Sequence, residues 1–306
     1  MRALVVTQPG SAQPAEIREV PEPAAGPNEV LLKVEAFSLN RGELRQLAQY
    51  PDWVPGQDVA GVVLEPAADG SGPPAGTRVV AVVDEGGWAE RVAAPTNRLA
   101  ALPDGVPFGA AATLGVAGLT ALRALRVGGS LLDARVLVTG ASGGVGRFAV
   151  QLAALAGARV TAVVGAPERG RGLTELGAAR VVLESEELGD RFDVVMEGVG
   201  GPSLERSVGA LAPGGVVVLY GGASGVPAQV ALSSFRGAAG ARIQGFFVYG
   251  TDVETFGQDL AFMARLIDEG RLTPEIGLEL SWRDLGRAVD ALRDRQVNGK
   301  VVLTVD

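Results

Sequence analysis

In the first third of the chain, short apolar stretches are separated by Pro, Gly and polar residues. Each stretch has the length of one strand and is too short for a buried helix. This spacing predicts a strand-rich barrel or sandwich, with strands at residues 3–7, 30–36, 59–64, 78–83 and 88–93. The Ala-, Gly- and Pro-rich residues 67–76 are predicted to form a surface loop.

Farther along the chain, apolar strand patterns alternate with helical ones. Strands are predicted at residues 135–139, 159–164, 180–183, 193–196, 216–220 and 242–247. Helices are predicted at residues 146–156 and 169–176 and between each pair of the later strands. Such alternation indicates a doubly wound parallel sheet covered by helices on both faces. An amphipathic helix at residues 282–295 and a strand at 300–305 then return to the first domain.

Composition narrows the class of protein. The chain has 306 residues, a length that suits two domains, and is 47% hydrophobic and 20% charged. No apolar run reaches the roughly 18 residues of a membrane span, and the first residues lack a leader pattern, so we expect a cytoplasmic protein without membrane partners. A net charge of −8 argues against nucleic-acid binding.

The sequence contains no Cys and no His. Protein zinc sites are built mainly from thiolate and imidazole ligands, so neither structural nor catalytic zinc is expected. The same absence removes Ser-His and Cys-His nucleophilic mechanisms and all disulfides. The remaining chemistry must come from a cofactor, Tyr, carboxylates or Lys.

Residues 135–146 carry the strongest local motif, RVLVTGASGGVG. A β-branched strand enters a glycine loop that opens an apolar helix, in which Ala141 replaces the first glycine of G-x-G-x-x-G while Gly143 and Gly146 fit. Small residues let the backbone approach a pyrophosphate, and a helix N-terminus offers unpaired N–H groups. The motif predicts a dinucleotide site; an ordinary tight strand-to-helix turn is the alternative.

The end of the second strand of this unit indicates which dinucleotide binds. NAD sites usually place a carboxylate there, about 20 residues after the glycine loop. Here the strand ends near Gly165 without one, and Arg169 and Arg171 follow, where a guanidinium can pair with a 2′-phosphate. NADPH is therefore predicted as the cofactor. The alternative is that both arginines are solvated surface residues.

Six blocks together resemble the zinc-independent, quinone oxidoreductase-like medium-chain dehydrogenases/reductases, and they span nearly the whole chain. They are FSLNRGE (37–43), PGQDVAG (55–61), VAGLTALRAL (116–125), GASGGVG (140–146), FDVVMEGVG (192–200) and GKVVLT (299–304). The resemblance implies an α/β protein: a GroES-like β-rich catalytic domain (1–112 and 272–306) with an inserted doubly wound Rossmann domain (113–271) and an active site in the cleft between them.

The resemblance also implies roles for individual residues. Zinc-dependent relatives carry metal ligands where this chain has Asn40, Gln57 and Val116. Residues expected to bind the cofactor are Asn40, Thr120, Ser142, Gly143, Gly144, Val145, Gly165, Arg169, Arg171, Val199, Gly221, Phe246, Phe247 and Lys300. Plain packing is the alternative for each of them. Ala166, where many relatives have Ser, and Glu184 argue against a 2′-phosphate.

Without a metal to polarise a carbonyl, reduction of an electron-poor acceptor is easier than alcohol oxidation. We expect hydride transfer from NADPH to a small quinone or enone. The resemblance implies that Tyr50 and Asn40 are the catalytic residues, and Tyr249 is a second candidate donor. Asp58 and Glu43 are expected to be structural hydrogen-bond acceptors. Two alternatives stay open: a narrow-specificity enone or enoyl-thioester reductase, and a non-catalytic NADPH-binding sensor. The resemblance further implies a homodimer joined through the strand at 243–248.

Overall fold

A computed structural model describes residues 1–47 and 49–306. The strands are β1 (Arg2–Val6), β2 (Ala15–Glu19), β3 (Glu29–Leu39), β4 (Asp58–Glu65), β5 (Arg78–Val82), β6 (Arg91–Pro95), β7 (Leu99–Ala101), β8 (Arg135–Val138), β9 (Arg159–Val164), β10 (Ala178–Leu183), β11 (Phe192–Glu197), β12 (Leu211–Leu219), β13 (Arg242–Gly245), β14 (Ile276–Ser281) and β15 (Lys300–Thr304). The α-helices are α1 (Arg41–Gln46), α2 (Phe108–Ala112), α3 (Leu119–Val127), α4 (Gly144–Leu155), α5 (Pro202–Gly209), α6 (Phe256–Asp268) and α7 (Leu285–Arg293).

Shorter helical turns complete the secondary structure. A π-helical turn covers Leu114–Gly118, and 3-10 turns cover Thr96–Arg98, Pro167–Gly170, Leu232–Phe235, Val248–Gly250, Val253–Thr255 and Trp282–Asp284. Within the described residues, no helix combines the length and apolar character needed to cross a bilayer.

The chain divides into two compact units. Unit 1 comprises Met1–Leu119 and Asp252–Asp306, and unit 2 comprises Thr120–Thr251. These boundaries differ from the predicted ones at 112/113 and 271/272. The reason is packing: the Leu114–Gly118 turn contacts β4 and β5, and α6 contacts β7. Both segments therefore belong to unit 1, although the boundaries implied by the resemblance placed them in the second domain.

Unit 1 is built on a mixed sheet with the order β14-β15-β3-β4-β5-β7, in which β6 also pairs with β3, and on the separate hairpin β1–β2. Alternating buried positions along β3 face a core in which the Phe37 and Trp88 rings stack with centroids 5.8 Å apart. Strand β3 pairs with both β4 and β15, so Ser38 lies opposite Asp58 on one side and Val302 on the other. This register brings distant parts of the sequence together at one end of the sheet.

Unit 2 contains a six-stranded parallel sheet with the order β10-β9-β8-β11-β12-β13. Order reverses at β8 and β11, as in a doubly wound sheet, so the α/β prediction for this part is confirmed. The central strands β8, β9 and β11 are rich in Val and other apolar residues because most of their positions are buried. Ligands of such sheets bind beyond the carboxyl ends of the strands, at the point where the order reverses.

Two predicted helices of unit 2 are wrong. Residues 169–176 form only the end of the Pro167–Gly170 turn followed by further turns, because Gly172 and Gly177 adopt positive φ values of 78° and 106° that end a helix. Between β12 and β13 there is no α-helix in the described chain, only the short Leu232–Phe235 turn. Residues 221–240 are interrupted by several glycines and a proline, which oppose helix formation.

Candidate functional site

The glycine loop of unit 2, residues 140–146, connects β8 to α4. Gly143 is the residue before the helix, and its N–H donates to the Gly140 carbonyl over 3.0 Å. A Cβ on Gly146 would lie 2.5 Å from the Gly140 oxygen and 2.7 Å from the Ala141 Cα, so only glycine fits there. The first N–H groups of the helix have no intrahelical acceptor and, with the helix dipole, attract an anion. Gly143, Gly144 and Val145 are partly exposed and therefore accessible.

Arg169 turns back onto this loop. Its Nε donates to the Ser142 hydroxyl over 3.0 Å, which places a cation beside the helix N-terminus. The buried Arg147 donates to the Ser142 carbonyl over 3.4 Å and to the Arg171 carbonyl over 2.9 Å. Two predicted phosphate-binding segments, the glycine loop and the Arg169–Arg171 turn, are thus linked by hydrogen bonds.

At the carboxyl end of β9, the space beside Gly165 is not filled by other protein atoms. A Cβ on Gly165 would meet no atom within 4 Å, and the Arg171 side chain is exposed. The exposed Glu184 lies at the same edge of the sheet, where its N–H donates to the Val164 carbonyl over 2.9 Å. Ala166 offers no hydroxyl, as the sequence indicates. The arginines therefore supply the positive charge near this strand end.

Two further predicted residues, Val199 and Gly221, lie just beyond the carboxyl ends of β11 and β12. A Cβ on Gly140 would lie 3.2 Å from Val199, and one on Gly221 would lie 2.8 Å from the Gly198 oxygen. Phe246 follows β13 and donates its N–H to the Leu219 carbonyl over 2.8 Å, whereas the Phe247 ring is 70% exposed and lies 5.6 Å from Tyr249. Thr120 is buried in the first turn of α3.

The sequence analysis missed Glu197, a fully buried carboxylate at the end of β11. One of its oxygens accepts from the N–H groups of Val199 (2.8 Å) and Gly200 (2.9 Å). Its second oxygen accepts from the hydroxyls of Ser203 (3.2 Å) and Ser207 (2.7 Å). Four donors satisfy the buried charge and fix the loop that carries Val199. Burial and this charge raise the pKa of Tyr220.

Unit 1 brings together five polar side chains from β3, α1, β4, β15 and the residue between β3 and α1. They are Ser38, Asn40, Glu43, Asp58 and Lys300, here called the Asn40 cluster. The Lys300 ammonium donates to the Asn40 Oδ1 (2.7 Å), to the Leu39 carbonyl (3.0 Å) and to Asp58 (3.2 Å). Asn40 Nδ2 donates to Asp58 over 2.8 Å. Lys300 is only 4% exposed, so its ammonium points into this cluster.

Asp58 is the centre of the Asn40 cluster. Its carboxylate also accepts from the Ser38 hydroxyl over 2.9 Å and from the Val116 N–H over 2.7 Å. Asn40 and Val116 both hydrogen-bond to Asp58, and Gln57 precedes it in the chain, so the three positions that the resemblance relates to zinc ligands are grouped at this carboxylate. The prediction that Asp58 is a hydrogen-bond acceptor agrees with these contacts, but its convergence with Lys300 was not foreseen.

Glu43 is buried beneath Asn40. Its two carboxylate oxygens accept from the backbone N–H groups of Asn40 (2.7 Å) and Gln57 (3.0 Å). Burial, followed by the charge of Asp58, raises the pKa of Glu43 from 4.5 to about 8. Glu43 thus holds the start of α1 in place and is itself easily protonated.

Tyr50, the predicted catalytic phenol, is 52% exposed and lies edge-on to Trp53 with ring centroids 6.0 Å apart. No hydrogen bond joins it to the Asn40 cluster among the described residues. Of the two predicted catalytic residues, Asn40 is the one held in a defined orientation.

Comparison with family models follows the two parts of the chain. Residues 26–104 match the alcohol dehydrogenase GroES-like domain, and residues 144–265 match the zinc-binding dehydrogenase family. The first match confirms the GroES-like interpretation of the strand-rich part. The chain nevertheless contains no Cys and no His, the residues that dominate zinc sites in proteins.

Several curated proteins are similar to this chain. A chloroplast envelope quinone oxidoreductase homolog of Arabidopsis thaliana is 43% identical over 51% of this chain and 53% of that protein. The quinone oxidoreductase of Sus scrofa is 28% identical over 93% of this chain and 92% of its own length. The acryloyl-coenzyme A reductase of Sulfurisphaera tokodaii is 26% identical, with 99% of both chains covered.

A solved structure of mycobacterial Rv1454c complexed with NADPH superimposes with a TM-score of 0.88. It is 29% identical and covers 99% of this chain and 100% of its own.

Proposed function

The chain is a quinone oxidoreductase-like member of the medium-chain dehydrogenase/reductase superfamily, and from this membership we propose that it transfers hydride from NADPH to a quinone or another conjugated carbonyl compound. The observation that carries the proposal is the Arg169–Ser142 hydrogen bond at the glycine loop. It joins a cation to a helix N-terminus, the combination that a 2′-phosphorylated dinucleotide needs. The similar mycobacterial protein binds NADPH.

The residues of unit 2 fit this cofactor. Gly146 and Gly165 leave the backbone approachable, and the first turn of α4 offers N–H groups to a pyrophosphate. Arg169 and Arg171 are the proposed 2′-phosphate ligands. Thr120, Val199, Gly221, Phe246 and Phe247 are the proposed lining of the nicotinamide half.

When bound, NADPH supplies a hydride, and an acceptor that takes it develops negative charge on its oxygen. The chain's own task is to bind and orient the reactants and to stabilise that oxygen by hydrogen bonds. Asn40 and Tyr50 are the proposed donors. A phenol with a reference pKa near 10 suits proton donation to an enolate better than general base work.

The test is acceptor-dependent loss of nicotinamide absorbance, measured on purified protein with NADPH and with NADH across quinones, enones and enoyl thioesters. We expect turnover with NADPH that weakens in an Arg169→Ala/Arg171→Ala double variant, while turnover with NADH is unchanged by it. Tight NADPH binding without turnover of any acceptor would instead identify a non-catalytic sensor.

A second candidate is a narrow-specificity reductase of an enone or enoyl thioester. It is favoured by the full-length similarity to an acryloyl-coenzyme A reductase. In that case the same acceptor panel gives slow turnover of all quinones and fast turnover of one thioester or enone. The ratio of kcat/KM values between the best thioester and the best quinone decides between the two.

We also propose that the protein is a cytoplasmic homodimer joined through β13. All four residues of β13 are exposed, and β13 ends the sheet order among the described strands. An open edge strand with the 37% exposed Ile243 is a template for pairing with a second copy. Sedimentation is expected to show a dimer that dissociates in Ile243→Lys, and a wild-type monomer would contradict this. Cell fractionation tests the location.

A further inference from the structure

We propose that Lys300 and Asp58 fix the polarity of the Asn40 side chain, so that its amide presents an N–H donor, and not its oxygen, to the acceptor. The inference deepens the proposed reductase function and rests on it. It assigns the Asn40 amide to the acceptor oxygen and makes Lys300 and Asp58 positioning residues that act through Asn40.

The amide is held at both ends by groups of opposite charge. Lys300 Nζ lies 2.7 Å from Oδ1, and the Asp58 carboxylate lies 2.8 Å from Nδ2. An ammonium only donates hydrogen bonds, and a carboxylate only accepts them. Rotating the amide by half a turn would set its NH2 group against the ammonium and its oxygen against the carboxylate. The chemistry of the neighbours therefore permits one orientation.

Neither neighbour is free to move away. Asp58 accepts from Ser38 and Val116 as well, and it is fully buried. Lys300 also donates to the Leu39 carbonyl over 3.0 Å. The Asn40 backbone is fixed in turn by Glu43, which accepts from its N–H over 2.7 Å. The cluster is preorganised before any substrate arrives.

This arrangement leaves the second Nδ2 hydrogen of Asn40, which is partly exposed, to a ligand. Because Oδ1 accepts from a cation, the amide is polarised and its remaining N–H is a stronger donor. When hydride adds to the conjugated carbon of a quinone, enone or enoyl thioester, the π electrons move onto the carbonyl oxygen. The Asn40 N–H stabilises that oxygen until a proton from the Tyr50 phenol, which is replaced in turn from solvent, neutralises it. The Asn40 N–H is not expected to speed the reduction of acceptors that develop no negative charge on oxygen.

The test is a double-mutant cycle measured as kcat at saturating NADPH. Asn40→Ala and the isosteric Asn40→Asp, which replaces the donor by an acceptor, are expected to lower kcat by about 10²- to 10³-fold, the usual effect of one such donor. The double variant Asp58→Asn/Lys300→Met removes both charges together without leaving one buried. The double variant is expected to lower kcat because the Asn40 side-chain amide can then rotate by half a turn.

Since Lys300 and Asp58 act through Asn40, adding Asn40→Ala to that double variant should cause no further loss beyond Asn40→Ala alone. The inference is overturned if the losses of kcat from Asn40→Ala and from the double variant multiply. It is also overturned if Asn40→Asp keeps the wild-type kcat. The far-UV circular dichroism spectrum serves as the folding control and is expected to stay unchanged in every variant. Lys33→Met, in the exposed ion pair with Glu35, is the matched control for loss of a lysine and keeps wild-type kcat.

A second measurement does not depend on turnover. The side-chain amide of Asn40, assigned in the nitrogen-15 spectrum by its loss in Asn40→Asp, is expected to show two distinct proton signals. The one bonded to Asp58 should lie downfield, and it should shift in Asp58→Asn/Lys300→Met. If wild-type protein reduces no acceptor but shows these signals, the proposed function fails while the amide orientation stands. If the chemical shifts of the two amide protons do not change in Asp58→Asn/Lys300→Met, the inference fails.

Discussion

In unit 2 the glycine loop offers backbone N–H groups and open space, whereas in unit 1 the Asn40 cluster offers side chains whose charges are buried. The glycine loop depends on the lack of side chains, since a Cβ on Gly146 would lie 2.5 Å from a backbone oxygen. The Asn40 cluster depends on a matched pair of charges, with Lys300 4% exposed and Asp58 fully buried.

The difference teaches what each region is suited to recognise. Backbone N–H groups at a helix end bind any pyrophosphate without changing their own protonation. A buried amide between an ammonium and a carboxylate is selective for one polarity of partner. We therefore expect substitutions in the Asn40 cluster to affect stability and turnover, and substitutions in the glycine loop to affect cofactor binding.

Lys300→Met should have the largest effect. It leaves the Asp58 carboxylate buried without its cation, which typically costs about 3–5 kcal/mol of stability. Urea unfolding should show this loss, while Lys33→Met, in an exposed pair, should cost only about 0–1 kcal/mol. Equal losses of stability in the two variants would mean that the buried pair contributes no more than an exposed one.

Glu43 should make the stability of the protein depend on pH. Its pKa is about 8 in the folded chain, where Asp58 and Lys300 face it, and 4.5 in the reference state. Between these values the unfolded chain ionises first, so the free energy of unfolding falls as pH rises from about 4.5 to 8 and then levels off. The loss should amount to a few kcal/mol, on the order of one for each pKa unit.

Glu43→Gln isolates this effect. The variant starts less stable at acid pH, because its amide nitrogen faces a backbone N–H, and its stability should not fall through this window. The difference in free energy of unfolding between wild type and variant must therefore become smaller as pH rises. Glu65→Gln, at an exposed position of the same unit, should run parallel to wild type. A constant gap for Glu43→Gln contradicts the raised pKa.

Gly146→Ala tests the other side of the comparison. The added methyl group meets backbone that cannot move away, so overpacking of about 1–3 kcal/mol is expected, with NADPH affinity lower by roughly tenfold or more. Gly209→Ala, at the end of α5 and outside the proposed cofactor site, is the matched control, because its Cβ would meet nothing within 4 Å. Calorimetric titration of both variants with NADPH measures the difference in affinity. Similar affinities would contradict the claim that NADPH binding requires a glycine at position 146.

Arg169→Met should have the smallest effect of the four. Losing one charge-assisted hydrogen bond should weaken NADPH binding by about tenfold or somewhat more and leave NADH binding unchanged. The ratio of the two affinities, from fluorescence titration, is the quantity to measure. A variant that weakens both nucleotides equally would show that Arg169 supports the loop without recognising the 2′-phosphate.

The two regions also differ in how far the sequence predicted them. The glycine loop is contiguous, so its strand, glycines and helix were readable directly, and the parallel sheet around it followed from the alternation of patterns. The helix expected at 169–176 was wrong because Gly172 and Gly177 adopt conformations that a periodicity argument does not weigh.

The Asn40 cluster could not be read in the same way. Lys300 lies more than two hundred residues from Asn40 in sequence, and only the pairing of β3 with both β4 and β15 brings them together. Glu197 was missed because its partners are backbone N–H groups and serines, which carry no motif of their own. Tyr50 was chosen by resemblance, and its 52% exposure distinguishes it from the buried cluster.

The central claim is that this chain reduces conjugated carbonyl compounds with NADPH. The most direct measurement is the rate of nicotinamide oxidation by purified protein with NADPH or NADH, with and without quinones, enones and enoyl thioesters. The account predicts acceptor-dependent oxidation, with kcat/KM higher for NADPH than for NADH. No acceptor-dependent oxidation of either nucleotide across the three classes would contradict it.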